Sequence, residues 1–164
     1  MISVSKNPGP SAWNDLLPKR EPLPSLSGNL KSDWLIVGAG FAGLSAARRV
    51  QQEAPNDSIV ILDAQGLASG PAGRNSGFMI DLPHDLASDD YGGQIENDRE
   101  AIMQNRYAIN FAKETVEALK LPRECFKEIG KINGAATAKG MRHNHDYAKH
   151  LSKLGEKYEY LDAN

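Results

Sequence analysis

Residues 33–63 read DWLIVGAGFAGLSAARRVQQEAPNDSIVILD, and the order of residue types in this run leaves few folds open. Trp34–Val37 is a short, continuous apolar run that ends in glycine, as expected of a parallel strand covered on both faces. From Ala42 to about Ala54 the pattern turns helical. Gly43, Ala47 and Val50 share one face at i, i+4 and i+7, while Arg48, Arg49, Gln51, Gln52 and Glu53 are polar. Pro55 stops the helix and Asn56-Asp57 makes the turn. Ser58–Leu62, rich in β-branched residues, reads as a second strand, and Asp63 closes the run. Strand, glycine turn, helix, strand and terminal acid together describe a dinucleotide-binding βαβ unit.

Each glycine of Gly38-Ala39-Gly40-Phe41-Ala42-Gly43 has a separate job in such a unit. Gly38 permits the tight turn out of the strand. Gly40 lets the backbone approach a pyrophosphate where a side chain would collide. Gly43 lets the helix pack closely on the strand. The amides that open the helix, at Phe41, Ala42 and Gly43, then face the phosphates at the positive end of the helix dipole. Asp63 is placed to accept bonds from both hydroxyls of an adenosine ribose, and it would repel a 2′-phosphate, which disfavours NADP. Ala64 and Gln65 follow the acid directly and belong to the same candidate set. FAD and NAD share this fold and fingerprint, so the βαβ unit alone does not separate them.

Composition narrows the remaining classes. The chain has 164 residues, a net charge of −2 and a pI near 6.1, which gives no electrostatic case for nucleic acid or an anionic membrane. The first thirty residues lack the basic start and apolar run of a signal peptide, and no window approaches a membrane span, so the cytoplasm is the default location. Cys125 is the one cysteine. It reads as a partly buried apolar side chain, with no activating histidine near it in sequence. His84, His143, His145 and His150 read as surface histidines: His143 and His145 lie two apart, off a common helix face, and no ligand pair has metal spacing. The acidic residues Asp81, Asp85, Asp89, Asp90, Glu96, Asp98 and Glu100 read as a solvated loop entering a helix rather than a metal site. No residue is assigned as a general base.

The rest of the chain divides around the βαβ unit. Pro8, Pro10, Pro18, Pro22 and Pro24 make residues 1–30 an extended arm, not a helix or central strand, with Trp13, Leu16, Leu17, Leu23 and Leu26 able to anchor it to a surface. Residues 65–78 are mostly loop, with room for a helical turn. Ile95, Ile102, Ile109 and Val116 recur every seven residues, and with Ala112 and Leu119 they predict a packed helix from about Ile95 to Leu119, ended by Pro122. Lys127–Ala138 looks like a strand with a glycine interruption. Residues 140–154 look like an amphipathic helix with Met141, Tyr147, Leu151 and Leu154 on its apolar face, and Tyr158–Leu161 begins something extended.

The loop Ala68-Ser69-Gly70-Pro71-Ala72-Gly73-Arg74-Asn75-Ser76-Gly77 resembles the segment that runs along the pyrophosphate and ribityl chain toward the flavin in D-amino-acid-oxidase-like flavoproteins. It is most similar to the gamma-glutamylputrescine oxidase type and its amine- and amino-acid-oxidising relatives, which read GASGRNGG there; Ser76 replaces a usual glycine. The resemblance spans most of the chain, but only residues 33–78 are specific. It implies an FAD cofactor, with Gly38, Gly40 and Gly43 at the pyrophosphate and Asp63 at the ribose. It places Ser69, Gly70, Arg74, Asn75, Ser76 and Gly77 along the chain and one ring edge. Arg74 and Asn75 would offer donors to the anionic cofactor, or Arg74 would brace the loop. The Arg74–Phe78 segment holds neither His nor Cys, so the flavin is expected to be non-covalent. Chemistry of this family would transfer hydride from the carbon of an amine or amino acid to flavin, and the imine would hydrolyse.

Two short parallel strands and one helix do not make a stable doubly wound sheet. The expected fold class is therefore α/β: a partial Rossmann-like FAD-binding βαβ unit plus part of an α+β substrate domain, completed by another chain. Residues 1–30 would form the arm, 31–94 the FAD-binding unit and flavin-contacting loop, and 95–164 a helical segment and an incomplete substrate domain. The chain reads as the N-terminal part of a split FAD-dependent enzyme, with a second polypeptide as partner. Two other readings stand beside it: an NAD-binding fragment of a dehydrogenase, and a non-catalytic assembly subunit with a degenerate dinucleotide fold.

Overall fold

Two strands, β1 (Trp34–Val37) and β2 (Ile59–Leu62), lie parallel, with Trp34 opposite Ile59 and Val37 opposite Leu62. The computed structural model that shows this describes residues 9–21, 23–82 and 95–161. The chain divides into two units, Met1–Phe78 and Met79–Asn164.

In the first unit the chain crosses from β1 to β2 through a helix, α2 (Phe41–Glu53). Gly43, Ala47 and Val50 turn inward, as their spacing predicts. An acid fastens each end of the strand pair. At the entrance, Asp33 Oδ2 accepts from the amide of Ser58 at 2.8 Å and from its hydroxyl at 2.6 Å. These bonds, the hydroxyl first, hold the Asp33 carboxyl below the usual carboxylate range. At the exit, Gly38 N donates to Leu62 O at 2.7 Å, carrying the ladder one bond into the glycine turn.

The sheet is thinly covered. Ile36 meets α2, because a Cβ built on Gly43 lies 3.2 Å from its Cγ2. Leu35 and Val37 point to the opposite face and are 59% and 81% exposed. Ala47 is the one buried apolar side chain among the described residues of this unit. A parallel strand is ordinarily buried on both faces, so the described residues of this unit hold the first layer of an α/β fold without the second.

The arm departs from its expected form. Ala12–Asp15 forms a single helical turn, α1, where the prolines had predicted extended chain throughout. Pro10 and Pro18 flank the turn instead of interrupting it, and the Ser11 hydroxyl caps it by accepting from Asn14 N at 3.2 Å. Residues 65–78 are loop with one 3-10 turn at Pro71–Gly73.

The second unit is built on two helices, α3 (Ile95–Ala118) and α4 (Ala138–Leu154). On α3 the heptad positions turn inward with Ile102 buried, whereas Leu119 is exposed because the helix has already ended. That end precedes Pro122: Leu121 N reaches back to Val116 O and Lys120 N to Glu117 O, both at 3.0 Å, with Lys120 left-handed at φ 51°. Tyr147, Ala148, His150 and Leu151 of α4 are buried, while Met141 is exposed. His150 is thus a correction to the surface reading. Its Nε2 lies 2.5 Å from Asp98 Oδ2 on α3, and its side chain is 2% exposed. Arg106 of α3 forms a bidentate pair with Glu156 at 2.7 and 3.0 Å and meets Asp81 at 2.9 Å, and these carboxylates raise its pKa.

Two further expectations are corrected here. Lys127–Ala138 forms no strand: Gly130 is left-handed at φ 75°, Ile129 and Ile132 are exposed, and the described residues offer the run no ladder. The second unit is accordingly helical among its described residues, without the β component expected of an α+β domain. Cys125 is exposed rather than partly buried. His84, Asp85, Asp89 and Asp90 lie outside the described residues.

Candidate functional site

The site is built around the turn between β1 and α2. Gly38 adopts φ 102°, a left-handed conformation that L side chains rarely enter. A Cβ on Gly43 would stand 1.9 Å from Gly38 O, so the third glycine is required by the protein's own packing. Gly40 differs from both. Its φ of −83° suits any residue, and among the described residues a Cβ there would meet only Ala72 Cβ, at 3.9 Å. The protein leaves space at Gly40. That space adjoins the loop carrying Ala72, so the two glycine-rich segments predicted to share a cofactor are neighbours.

The donors fit an anion in this space. Gly40 caps α2 without a side-chain hydrogen bond, and the first helical bond runs from Leu44 N to Gly40 O at 3.0 Å. The amides of Phe41, Ala42 and Gly43 therefore lie ahead of the ladder, at the positive end of the helix dipole. Phe41 presents an exposed side chain. Open space beside orphan amides and a carboxylate a strand away suits a dinucleotide pyrophosphate and ribose.

Asp63 has a duty that sequence reasoning missed. Its Oδ2 accepts from Ala39 N at 2.7 Å and its Oδ1 from Gln65 N at 2.9 Å. These bonds, Ala39 first, hold the carboxyl below the usual carboxylate range. The acid thus pins the glycine turn to the end of β2. An ionised carboxylate has about four acceptor positions, so roughly two remain for ribose hydroxyls. Ala64 sits in the bend between these bonded residues.

The loop after Asp63 is tied largely to itself and to the arm. Ser69 N donates to Gly66 O at 3.1 Å, and Ser69 O accepts from Arg74 Nε at 3.0 Å. Arg74 Nη2 also donates to Gly9 O. Asn75 Oδ1 accepts from Gly77 N at 2.7 Å, and its Nδ2 donates to Ala72 O at 2.6 Å. Arg74 and Asn75 therefore shape the loop, and Arg74 braces it through the carbonyls of Ser69 and Gly9. Gly70 leads into the 3-10 turn with open space where a Cβ would be, and Ser76 is exposed. Gly77 is left-handed at φ 78°, with the Trp13 ring 3.4 Å from where a Cβ would stand.

Comparison with known proteins identifies the family. The family model described as "FAD dependent oxidoreductase" (DAO) matches residues 33–164. The chain belongs to this family of FAD-dependent oxidoreductases. It is also similar to "Probable oxidoreductase OrdL" of Rhizobium meliloti (strain 1021), at 32% identity over 71 residues. That stretch covers 43% of this chain and 16% of the relative's length. No solved structure matches. Among the described residues, no helix is long and apolar enough to cross a membrane, and no three potential ligand side chains gather around a metal position.

Proposed function

We propose that this FAD-family chain binds FAD non-covalently and forms the cofactor-clasping part of an oxidase or dehydrogenase that oxidises the C–N bond of an amine or amino acid to an imine. The observation that carries the cofactor reading is the space at Gly40, which the protein's own atoms leave open beside three amides ahead of the helix ladder. In this reading Gly38 and Gly43 fix the turn, Gly40 admits the pyrophosphate, and the Phe41, Ala42 and Gly43 amides hold it. Asp63 orients the adenosine ribose while keeping the turn in place. Ser69, Gly70, Ser76 and Gly77 border the chain and ring, and Arg74 and Asn75 act by holding that border. When bound, FAD supplies a two-electron acceptor for hydride from the carbon bearing nitrogen. The substrate class rests on the likeness of the 68–77 loop to amine- and amino-acid-oxidising relatives.

The proposal includes a second polypeptide. The bare face of Leu35 and Val37 and the single buried apolar side chain of the first unit support a partner that adds strands and a covering layer. The test is purification from the native source with whatever binds the chain, followed by denaturation. Release of free FAD, and oxidation of an amine or amino acid by the undenatured material, are expected. Release of a nicotinamide dinucleotide, or of no dinucleotide, would refute the cofactor assignment.

A further inference from the structure

The N-terminal arm does something that the cofactor fingerprint leaves unassigned. It reaches the 68–77 loop at three separate points. Trp13 Nε1 donates to Asn75 O at 2.8 Å. Asn14 Nδ2 donates to Ala68 O at 3.2 Å. Gly9 O accepts from Arg74 Nη2. These bonds join residues 54 to 65 positions apart, so they close a long loop around the whole βαβ unit.

One point of attachment is the residue of the loop that is left-handed while carrying a Cβ. Ala68 is left-handed at φ 60°, an uncommon state for a residue with a Cβ. Gly73 packs against it so closely that a Cβ would lie 2.0 Å from Ala68 O. That carbonyl is the one Asn14 holds. Gly77, also left-handed, lies under the indole of Trp13. Strained backbone persists only where its surroundings over-determine it, and here the arm supplies much of that surrounding.

We propose that residues 9–14 are a clamp that sets the conformation of the flavin-side loop, with Trp13 and Asn14 as positioning residues acting through Asn75 and Ala68. The proposal rests on the FAD reading for its functional consequence, but the clamp itself is a property of this chain. Removing it lets Ala68 relax, and the loop then enters the cofactor-binding conformation for only part of the time. Affinity falls by that fraction, because a ligand binds only the competent population.

The experiment compares wild type, Trp13→Phe, Asn14→Ala and the double variant, each with whatever chain it assembles with. Trp13→Phe keeps an aromatic ring and removes only the N–H donor. Leu23→Ala is the control, since Leu23 lies on the same arm, is 91% exposed and has no part in the clamp. The first readout is amide hydrogen exchange over residues 66–78 without cofactor. Exchange should speed up by about fivefold in each single variant, the effect of one lost net hydrogen bond, and further in the double variant. The second is the FAD dissociation constant, which should rise by about the same factor. Loop exchange and FAD affinity both unchanged in the double variant would overturn the clamp. So would an equal effect of Leu23→Ala, which would make the arm merely a generic cover. If wild type binds no FAD, the cofactor reading fails while the exchange result still decides the clamp.

Discussion

Gly40 and Gly43 stand three residues apart and answer to different demands. Gly43 is excluded from carrying a side chain by the protein, since its Cβ would collide with the Gly38 carbonyl. At Gly40 the described residues leave room for a Cβ, with Ala72 Cβ at 3.9 Å. Gly43→Ala should therefore cost about 1–3 kcal/mol of stability, as overpacking against backbone does. Gly40→Ala should cost under about 1 kcal/mol, the difference between glycine and alanine as a helix cap. FAD affinity should still fall at least about tenfold in Gly40→Ala, equivalent to about 1.4 kcal/mol. Urea unfolding followed by tryptophan fluorescence, with parallel FAD titration, separates the two effects. Asp63 gives a pH prediction at the same scale. Its folded-state pKa lies below the unfolded value, so its stabilising bonds are fully present above about pH 4, the ordinary carboxylate value, and are lost as pH falls through the folded value. The unfolding midpoint should drop as pH is lowered below about 4, and Asp63→Asn should flatten that drop. An unchanged acid limb in the variant would show that Asp63 does not hold the turn.

At the scale of elements, helix ends offer a direct check on the second unit. Lys120 occupies the left-handed position after α3, where glycine avoids the Cβ penalty, and Gly155 fills the equivalent position after α4 at φ 82°. Lys120→Gly should raise stability by about 0.5–1 kcal/mol, and Gly155→Ala should lower it by about 1 kcal/mol, both read by far-ultraviolet circular dichroism during denaturation. Gly155→Ala should also loosen Glu156 from Arg106, since the turn at Gly155 carries Glu156 N to Leu151 O at 2.9 Å. These elements also show what a sequence makes legible. β1, α2, β2 and α3 could be read almost to the residue because their signals are local: an apolar run bounded by glycine, a 3.6-residue face, a heptad. The tight turn at Gly38 and the close packing at Gly43 were legible for the same reason. α1 was not, because its stability comes from bonds to a loop more than fifty positions away. Lys127–Ala138 carried strand-like residues, but a strand exists only with a neighbour to pair with. For Arg74 the sequence left a choice between cofactor donor and loop brace, because a polar group's partner is not written in its type; carbonyls of the loop and the arm accept from it, and Ala72 O accepts from Asn75. His150 shares its spacing with Tyr147 and Leu151, and that pattern places it on the buried face.

Across the whole molecule, apolar surface is distributed unevenly. The second unit buries Ile102, Tyr147, Ala148 and Leu151, whereas the first buries Ala47 and leaves a sheet face open. Replacing Leu35 and Val37 with lysine should change the chain's own stability by no more than about 0.5 kcal/mol per site, as at other surface positions. If a completing polypeptide covers this face, as proposed, the same substitutions should abolish its co-purification, because they place charge in the covered layer. Retention of the partner by the double variant would remove this face from the interface. The strand register carries one more consequence. Every ladder pair in β1 and β2 is separated by 25 residues, from Trp34–Ile59 to Val37–Leu62. Closing a loop of that order takes roughly microseconds or less, whereas a ribosome adds about 5–20 residues each second. The nascent chain thus samples the closed glycine turn many thousands of times in the interval in which one further residue is added.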